Sequence, residues 1–159
     1  MPTTLTQSPK KKTEANINWK DIALKMLISR AMDDLEENVL VPEKKVLYQF
    51  SARGHELGQL ILAHLLDHKK DSASAYYRSR PLMIGLGLSV EDALSAPLTR
   101  SGGYSDGRDI GVVCNMPSSE RGCVVLPMAG DVGSQYTPAI GWAQSIEYYT
   151  KSIKDKSYK

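Results

Sequence analysis

Residues 123–150, CVVLPMAGDVGSQYTPAIGWAQSIEYYT, decide how the chain is read. Cys123, Val124, Val125 and Leu126 make a short apolar run bounded by turn residues, the pattern of a buried strand. The glycines of Gly130-Asp131-Val132-Gly133-Ser134 then demand a tight connection, since glycine alone tolerates every backbone region. A helix follows from about 137 to 150, with Pro138 in its first turn, where a missing N–H costs nothing. Ala139, Gly141 and Ala143 offer it small packing positions. Strand, glycine turn and helix in that order belong to an α/β arrangement.

Working outward, Ser74-Ala75-Tyr76-Tyr77-Arg78-Ser79-Arg80-Pro81 reads as a strand end or turn leading into another helix. Ser89 before Glu91 and Asp92 has the form of a helix N-terminus. A helix from Gly54 or His55 to near His68 carries Leu57, Leu60, Ile61 and Leu65 on one stripe. Ahead of it, Leu24, Leu27, Ile28, Ala31 and Leu35 recur at three- and four-residue steps, predicting an amphipathic helix capped by Asn18 and ending near Asn38. Residues 101–122, rich in Gly, Ser and Asp, form a long loop of the kind that is either functional or disordered. One or two short strands cannot cover so many helices. The expectation is an α/β class, helix-rich, with an incomplete sheet whose other strands lie elsewhere. Residues 1–16 are expected to be a disordered tail, 17–152 a partial domain, and 153–159 a charged tail.

The 159 residues carry a net charge of +2, so no basic field argues for nucleic acid. The lysines gather at the two ends, without the interleaved aromatics that stack on bases. Two cysteines, Cys114 and Cys123, do not make a secreted disulfide framework. No stretch approaches the ~20 apolar residues of a spanning helix, and the N-terminus lacks the apolar core of a secretory signal. A cytoplasmic protein is the expectation, with no membrane partner.

Chemistry concentrates in three segments that occur in order: Arg53-Gly54-His55-Glu56, Tyr76-Tyr77-Arg78-Ser79-Arg80, and the turn at 130–135. The second sets phenols beside guanidiniums, and arginine's planar fork suits phosphate oxygens. The third exposes backbone N–H groups at a helix opening. Each alone is a common surface feature. As a series, Gly54-His55-Glu56, Tyr77-Arg78, Gly87-Leu88-Ser89-Val90-Glu91, Gly107-Arg108 and the run Gln135 through Ala139 to Gly141 resembles the alpha-type subunit of the decarboxylating component of 2-oxo acid dehydrogenases. The pyruvate and branched-chain 2-oxoisovalerate enzymes belong to that family.

The resemblance covers residues 18–150 and implies the N-terminal part of a thiamine-diphosphate-binding fold. It implies that Tyr77 and Arg78 hold the cofactor diphosphate, with Arg80 nearby. It further implies that backbone at Gly130 and Val132 meets the aminopyrimidine side. Ala129, Asp131, Ser134 and Gln135 match a potassium-binding loop of branched-chain members, although Asp131 stands where proline is usual. Val113 stands where the family carries a histidine after its Gly-Arg loop. The family's Gly-Asp-Gly motif, which supplies Mg²⁺ ligands, does not occur, and the catalytic glutamate belongs to a beta-type partner. The reaction implied is oxidative decarboxylation of a 2-oxo acid with acyl transfer to lipoamide on an acyltransferase partner. The expectation is a truncated chain, inactive alone and oligomeric when complete.

Plainer roles stand beside these. His55 either orients substrate in a complete catalytic site or bonds nearby backbone at a helix start. His64 and His68, four apart, are expected on a solvated helix face rather than on a metal. Arg80 and Arg108 are phosphate ligands or ion-pair partners, Glu56 is a helix-start carboxylate, and Trp19 and Trp142 are packing anchors. The rival of another class is a non-catalytic helical module serving assembly.

Overall fold

In the computed structural model, which describes residues 17–108, 115–119 and 122–158, Asn18 opens the first helix. Its side-chain carbonyl accepts from the Asp21 N–H at 3.2 Å, so a short amide satisfies a donor that the first turn leaves unpaired. Helix α1 spans Trp19–Leu35 and passes into a π-helical turn, Glu36–Leu40. Helix α2 spans Glu56–Leu65, strand β1 Ser72–Ser74, α3 Arg80–Leu86 and α4 Val90–Ser95. Strand β2 is Val124–Leu126 and α5 is Tyr136–Lys151, followed by a 3-10 turn at Lys156–Tyr158. The strands pair in parallel, Ala73 opposite Val125, in a two-stranded sheet. The result is helix-rich with a small parallel sheet, in keeping with an α/β class.

Helix α3 lies in the centre of the described core. Met83 is 1% exposed, and Leu82, Ile84 and Leu86 are buried with it. They pack with Met32 of α1, Ala63 of α2, Ala73 of β1, and Cys123 and Val125 of the β2 segment. Gly85 faces α2 so closely that an added Cβ would lie 2.4 Å from the Cβ of Ala63. Small residues on both sides let these backbones approach. Pro81 sits in the first turn of α3, and Gly87 ends it at φ +115°, a left-handed cap that needs no Cβ. Ser89 caps α4 by accepting from the Asp92 N–H at 3.0 Å.

Several expectations need correction. Of the stripe expected on α1 only Ile28 packs against the core: Leu24, Leu27, Ala31 and Leu35 are exposed, while Ile22, Ser29, Met32 and Asp33 are buried. The helix is rotated because its inner face carries Asp33, and the next turn Glu36, to the buried guanidinium of Arg80. An ion cluster overrides the hydrophobic period. Helix α2 buries Leu60, but Leu57 and Leu65 stay exposed. It begins at Glu56 because Gly54, at φ +88°, lies outside helical space. It ends before His68, so His64 and His68 do not share a helix face; the His68 ring nitrogen Nδ1 accepts from the Lys70 N–H at 3.1 Å. Trp19, expected as a packing anchor, is 58% exposed. Trp142 does anchor, its indole N–H donating to the Lys70 carbonyl at 2.8 Å.

The segment expected as a charged tail folds back. Lys70 sits over the Tyr158 ring at 3.4 Å, and that ring stacks on Tyr149 with centroids 4.7 Å apart. The expected disordered tail, residues 1–16, lies outside the described residues, as do Val113 and Cys114. Among the described residues no helix is long and apolar enough to cross a membrane.

Candidate functional site

The Tyr77-Arg78 pair occupies the two central positions of a tight turn between β1 and α3. The Ser79 N–H donates to the Tyr76 carbonyl at 2.8 Å, and the Tyr76 N–H donates to the Ser79 hydroxyl at 3.2 Å. Closing the turn from both ends fixes what projects from its tip. Gln59 of α2 adds a brace: its amide donates to the Arg78 carbonyl at 2.9 Å and its carbonyl accepts from the Leu82 N–H at 3.1 Å.

At the same end of the sheet, the turn after β2 closes on itself. The Ser134 hydroxyl donates to the Asp131 carbonyl at 2.7 Å. The Gln135 amide donates to the carbonyls of Ala129 at 2.9 Å and Asp131 at 3.2 Å. Gly133, at φ +89°, supplies the left-handed residue such a loop needs.

These two turns border one cleft of about 340 Å³, with Ser74, Tyr76 and Ser79 on one side and Val132, Gly133, Gln135 and Tyr136 on the other. The parallel pairing of β1 with β2 sets the following turns side by side, as expected where ligands gather at the carboxyl ends of parallel strands. Thus the 76–79 segment and the 132–136 turn are brought together. Gly130 is exposed near the cleft's turn, with open space around it. Asp131 is exposed, and only its backbone carbonyl takes part in the turn's bonding.

The side chains at the turn's tip lean another way. Tyr77 packs on Phe50 with ring centroids 4.5 Å apart and on Tyr76 at 4.6 Å. The Arg78 guanidinium donates to the Ser51 carbonyl at 2.6 Å and lies 5.5 Å from the Phe50 ring. With Tyr48 against Phe50 at 5.4 Å, a partly exposed aromatic wall adjoins the cleft through Tyr76. Phe50 is the single phenylalanine of the chain. Sequence reading passed over it, and also over Ser51 and Gln59, because only folding brings 48–51 and α2 to the turn.

Arg80 is the residue the structure uses differently. Expected beside the cofactor, it is 4% exposed, and its guanidinium donates to Asp33 at 3.2 Å and Glu36 at 2.6 Å. Three residues beyond Tyr77 on the opening turn of α3, it points inward and is spent on carboxylates. Burial pushes the Glu36 carboxyl above its ordinary value, and the pull of Arg80 only partly opposes this. For Glu56, burial also pushes upward, but the bond from Arg30, with the N–H groups of its own residue and Gly54, outweighs it and holds the carboxyl low. Glu56 is therefore a fixed anion that pins the 54–56 helix start. His55 is exposed and caps α2 without a side-chain bond. Arg108 is exposed and pairs with Asp106 at 3.4 Å. The Gly102 N–H first, and then Arg108, hold the Asp106 carboxyl below its ordinary value.

Among the described residues no group of three or more His, Cys, Asp or Glu is placed to hold a metal ion. No protein-family model matches the chain.

Proposed function

We propose that this chain contributes the diphosphate-binding side of a thiamine-diphosphate-dependent 2-oxo acid dehydrogenase component. The whole enzyme would decarboxylate a 2-oxo acid and pass the acyl group to lipoamide, with a beta-type partner and a lipoyl-bearing acyltransferase. The observation that carries the reading is the shared cleft: Tyr76 and Ser79, the two ends of the turn that carries Tyr77 and Arg78 at its tip, line one cavity with Val132, Gly133 and Gln135 of the glycine turn. The two turns are more than fifty residues apart in sequence.

The residues present suit a diphosphate. Arg78 spends one of its donors on the Ser51 carbonyl, out of the five N–H groups a guanidinium carries. Tyr76 and Tyr77 add phenols, and Ser79 a hydroxyl. When bound, thiamine diphosphate supplies the carbanion chemistry of decarboxylation, and the protein supplies position and electrostatics. In this reading Arg78 neutralises phosphate charge, Tyr77 fixes its direction, and backbone at Gly130 and Val132 meets the organic end. His55 stays the candidate for orienting substrate once a partner completes the site. The described residues do not provide ligands for the Mg²⁺ of the family, and no role here passes through it. For the family's potassium, the carbonyls of Ala129 and Asp131 are the class of oxygen a hard cation takes, but here they accept from the Gln135 amide and the Ser134 hydroxyl, so an ion would have to displace those donors.

The test is calorimetric titration of the full chain with inorganic pyrophosphate and with thiamine diphosphate plus Mg²⁺. Tyr77→Phe combined with Arg78→Ala should weaken pyrophosphate affinity at least tenfold, about what removing charge-assisted hydrogen bonds costs. Unchanged affinity refutes the clamp.

A second reading, a non-catalytic assembly module, is favoured by α5. None of its residues is buried, and Tyr136, Ile140 and Tyr148 are exposed. A larger exposed apolar surface than a monomer normally tolerates marks an interface. Sedimentation of the full chain as a self-associating species, with no response to either ligand, would favour this reading.

A further inference from the structure

We infer that Arg78 is a preset cation and that Asp33 and Gln59 are its positioning residues, acting from two different helices. Asp33 stands on the inner face of α1, with a side chain 2% exposed. One of its oxygens accepts from Arg80 at 3.2 Å. The other accepts from the Ser51 hydroxyl at 2.7 Å and the Ala52 N–H at 3.1 Å. That second oxygen folds the 51–52 backbone so that the Ser51 carbonyl faces the turn, where it accepts from Arg78 at 2.6 Å. The path from the core to the guanidinium is a chain of hydrogen bonds: Arg80, Asp33, Ser51, Arg78.

The other end of Arg78 is held independently. Gln59 receives the Leu82 N–H and donates to the Arg78 carbonyl, so one side chain ties the turn to the first turn of α3. Arg78 is thereby fixed at both backbone and guanidinium, with the Phe50 and Tyr77 rings beside it at 5.5 and 5.6 Å. Holding a long side chain in advance spares the ordering cost that ligand binding would otherwise carry. A solvated surface arginine would not be tied at both ends. Arg80, read from sequence as a ligand, instead acts two residues away through Asp33. This inference rests on the reading of Arg78 as a diphosphate ligand, but its geometry is testable without any ligand.

The experiment labels arginine guanidinium groups of the full chain with ¹³C and ¹⁵N, assigns Arg78 by Arg78→Lys, and measures Cζ–Nη rotation by NMR. In the native chain Arg78 should rotate slowly beside the fast exposed Arg108. In Asp33→Asn, and in Gln59→Glu, which keeps the acceptor for Leu82 while losing the donor to Arg78, rotation should become fast although the amide spectrum stays dispersed. Pyrophosphate affinity should fall in both variants by roughly 2- to 12-fold, the ordering cost of one long side chain. Gln59 is half-buried, so its variant carries the test even if Asp33→Asn fails to fold. Fast rotation of Arg78 in the native chain, or slow rotation retained in the folded variants, overturns the inference. If rotation responds as expected but Arg78→Ala leaves pyrophosphate affinity untouched, Arg78 is preset and the diphosphate reading fails instead.

Discussion

Replacing Arg80 by methionine tests whether the buried ion cluster sets the face that α1 turns inward. The substitution keeps an apolar stem of similar reach and removes the guanidinium that donates to Asp33 at 3.2 Å and Glu36 at 2.6 Å. The two carboxylates then fare differently. Asp33 keeps the Ser51 hydroxyl and the Ala52 N–H. Glu36 loses its bond on Oε1, and its Oε2 already has no partner. Breaking a buried pair and stranding a charge costs about 3–5 kcal/mol. With each kcal/mol worth roughly 2–4 °C at this chain length, Tm should fall by roughly 6–20 °C. Urea unfolding at pH 7, followed by far-UV circular dichroism, measures the loss. The pH dependence supplies a second reading. Glu36 is raised above its ordinary 4.5 by burial even with Arg80 present. A raised carboxyl costs stability when ionised, so the cost appears as pH climbs above 4.5 and fades as pH returns toward it. Without the guanidinium the rise is larger, and the gap between variant and native chain should narrow from pH 7 to pH 5. Adding Glu36→Gln to Arg80→Met should recover part of the loss. A loss under ~1 kcal/mol, or a gap that does not narrow on acidification, refutes the reasoning.

Gly85→Ala should destabilise the α2–α3 contact by about 1–3 kcal/mol, the usual cost of overpacking, because its Cβ would meet that of Ala63 at 2.4 Å; pairing it with Ala63→Gly should restore most of the loss in the same denaturation assay. Glu56→Gln should cost roughly 1.5–3 kcal/mol at neutral pH through its bonds to Arg30 and Gly54. Since the folded carboxyl lies below its ordinary 4.5, that contribution is complete above 4.5 and disappears as pH falls through the folded value, so the variant's acid unfolding should be less steep.

Local chemistry was legible wherever one short stretch decides its own geometry. Asn18 and Ser89 cap the helices they were expected to cap, Pro81 and Pro138 stand in first turns, and Val124–Leu126 forms a strand with Val125 buried. These outcomes depend on neighbours within four residues. What escaped reading depends on residues far apart in sequence. Nothing near Arg80 indicates that Asp33 and Glu36, 47 and 44 positions earlier, will meet it inside the core. Once they do, the Leu stripe of α1 must turn outward. The same limit hid Phe50, Ser51 and Gln59 from the candidate site. The 76–79 and 132–136 segments meet because the parallel pairing of β1 with β2 sets their turns at one end of the sheet, a pairing that no local stretch of sequence states.

Helix α5 buries none of its side chains and touches the described body through β1, the Trp142 bond to the Lys70 carbonyl, and the ring stack beneath Lys70. So few attachments give it a small free energy of detachment compared with α3, whose residues leave water only when the whole core does. Amide hydrogens of 136–151 should therefore trade with deuterium well before those of 80–86, and a protease given limited time should cut after Lys151 well before it cuts after Arg80. Whatever lies against the 132–136 turn then gains a handle on this helix: a ligand that closes the cleft would slow that exchange without altering α3.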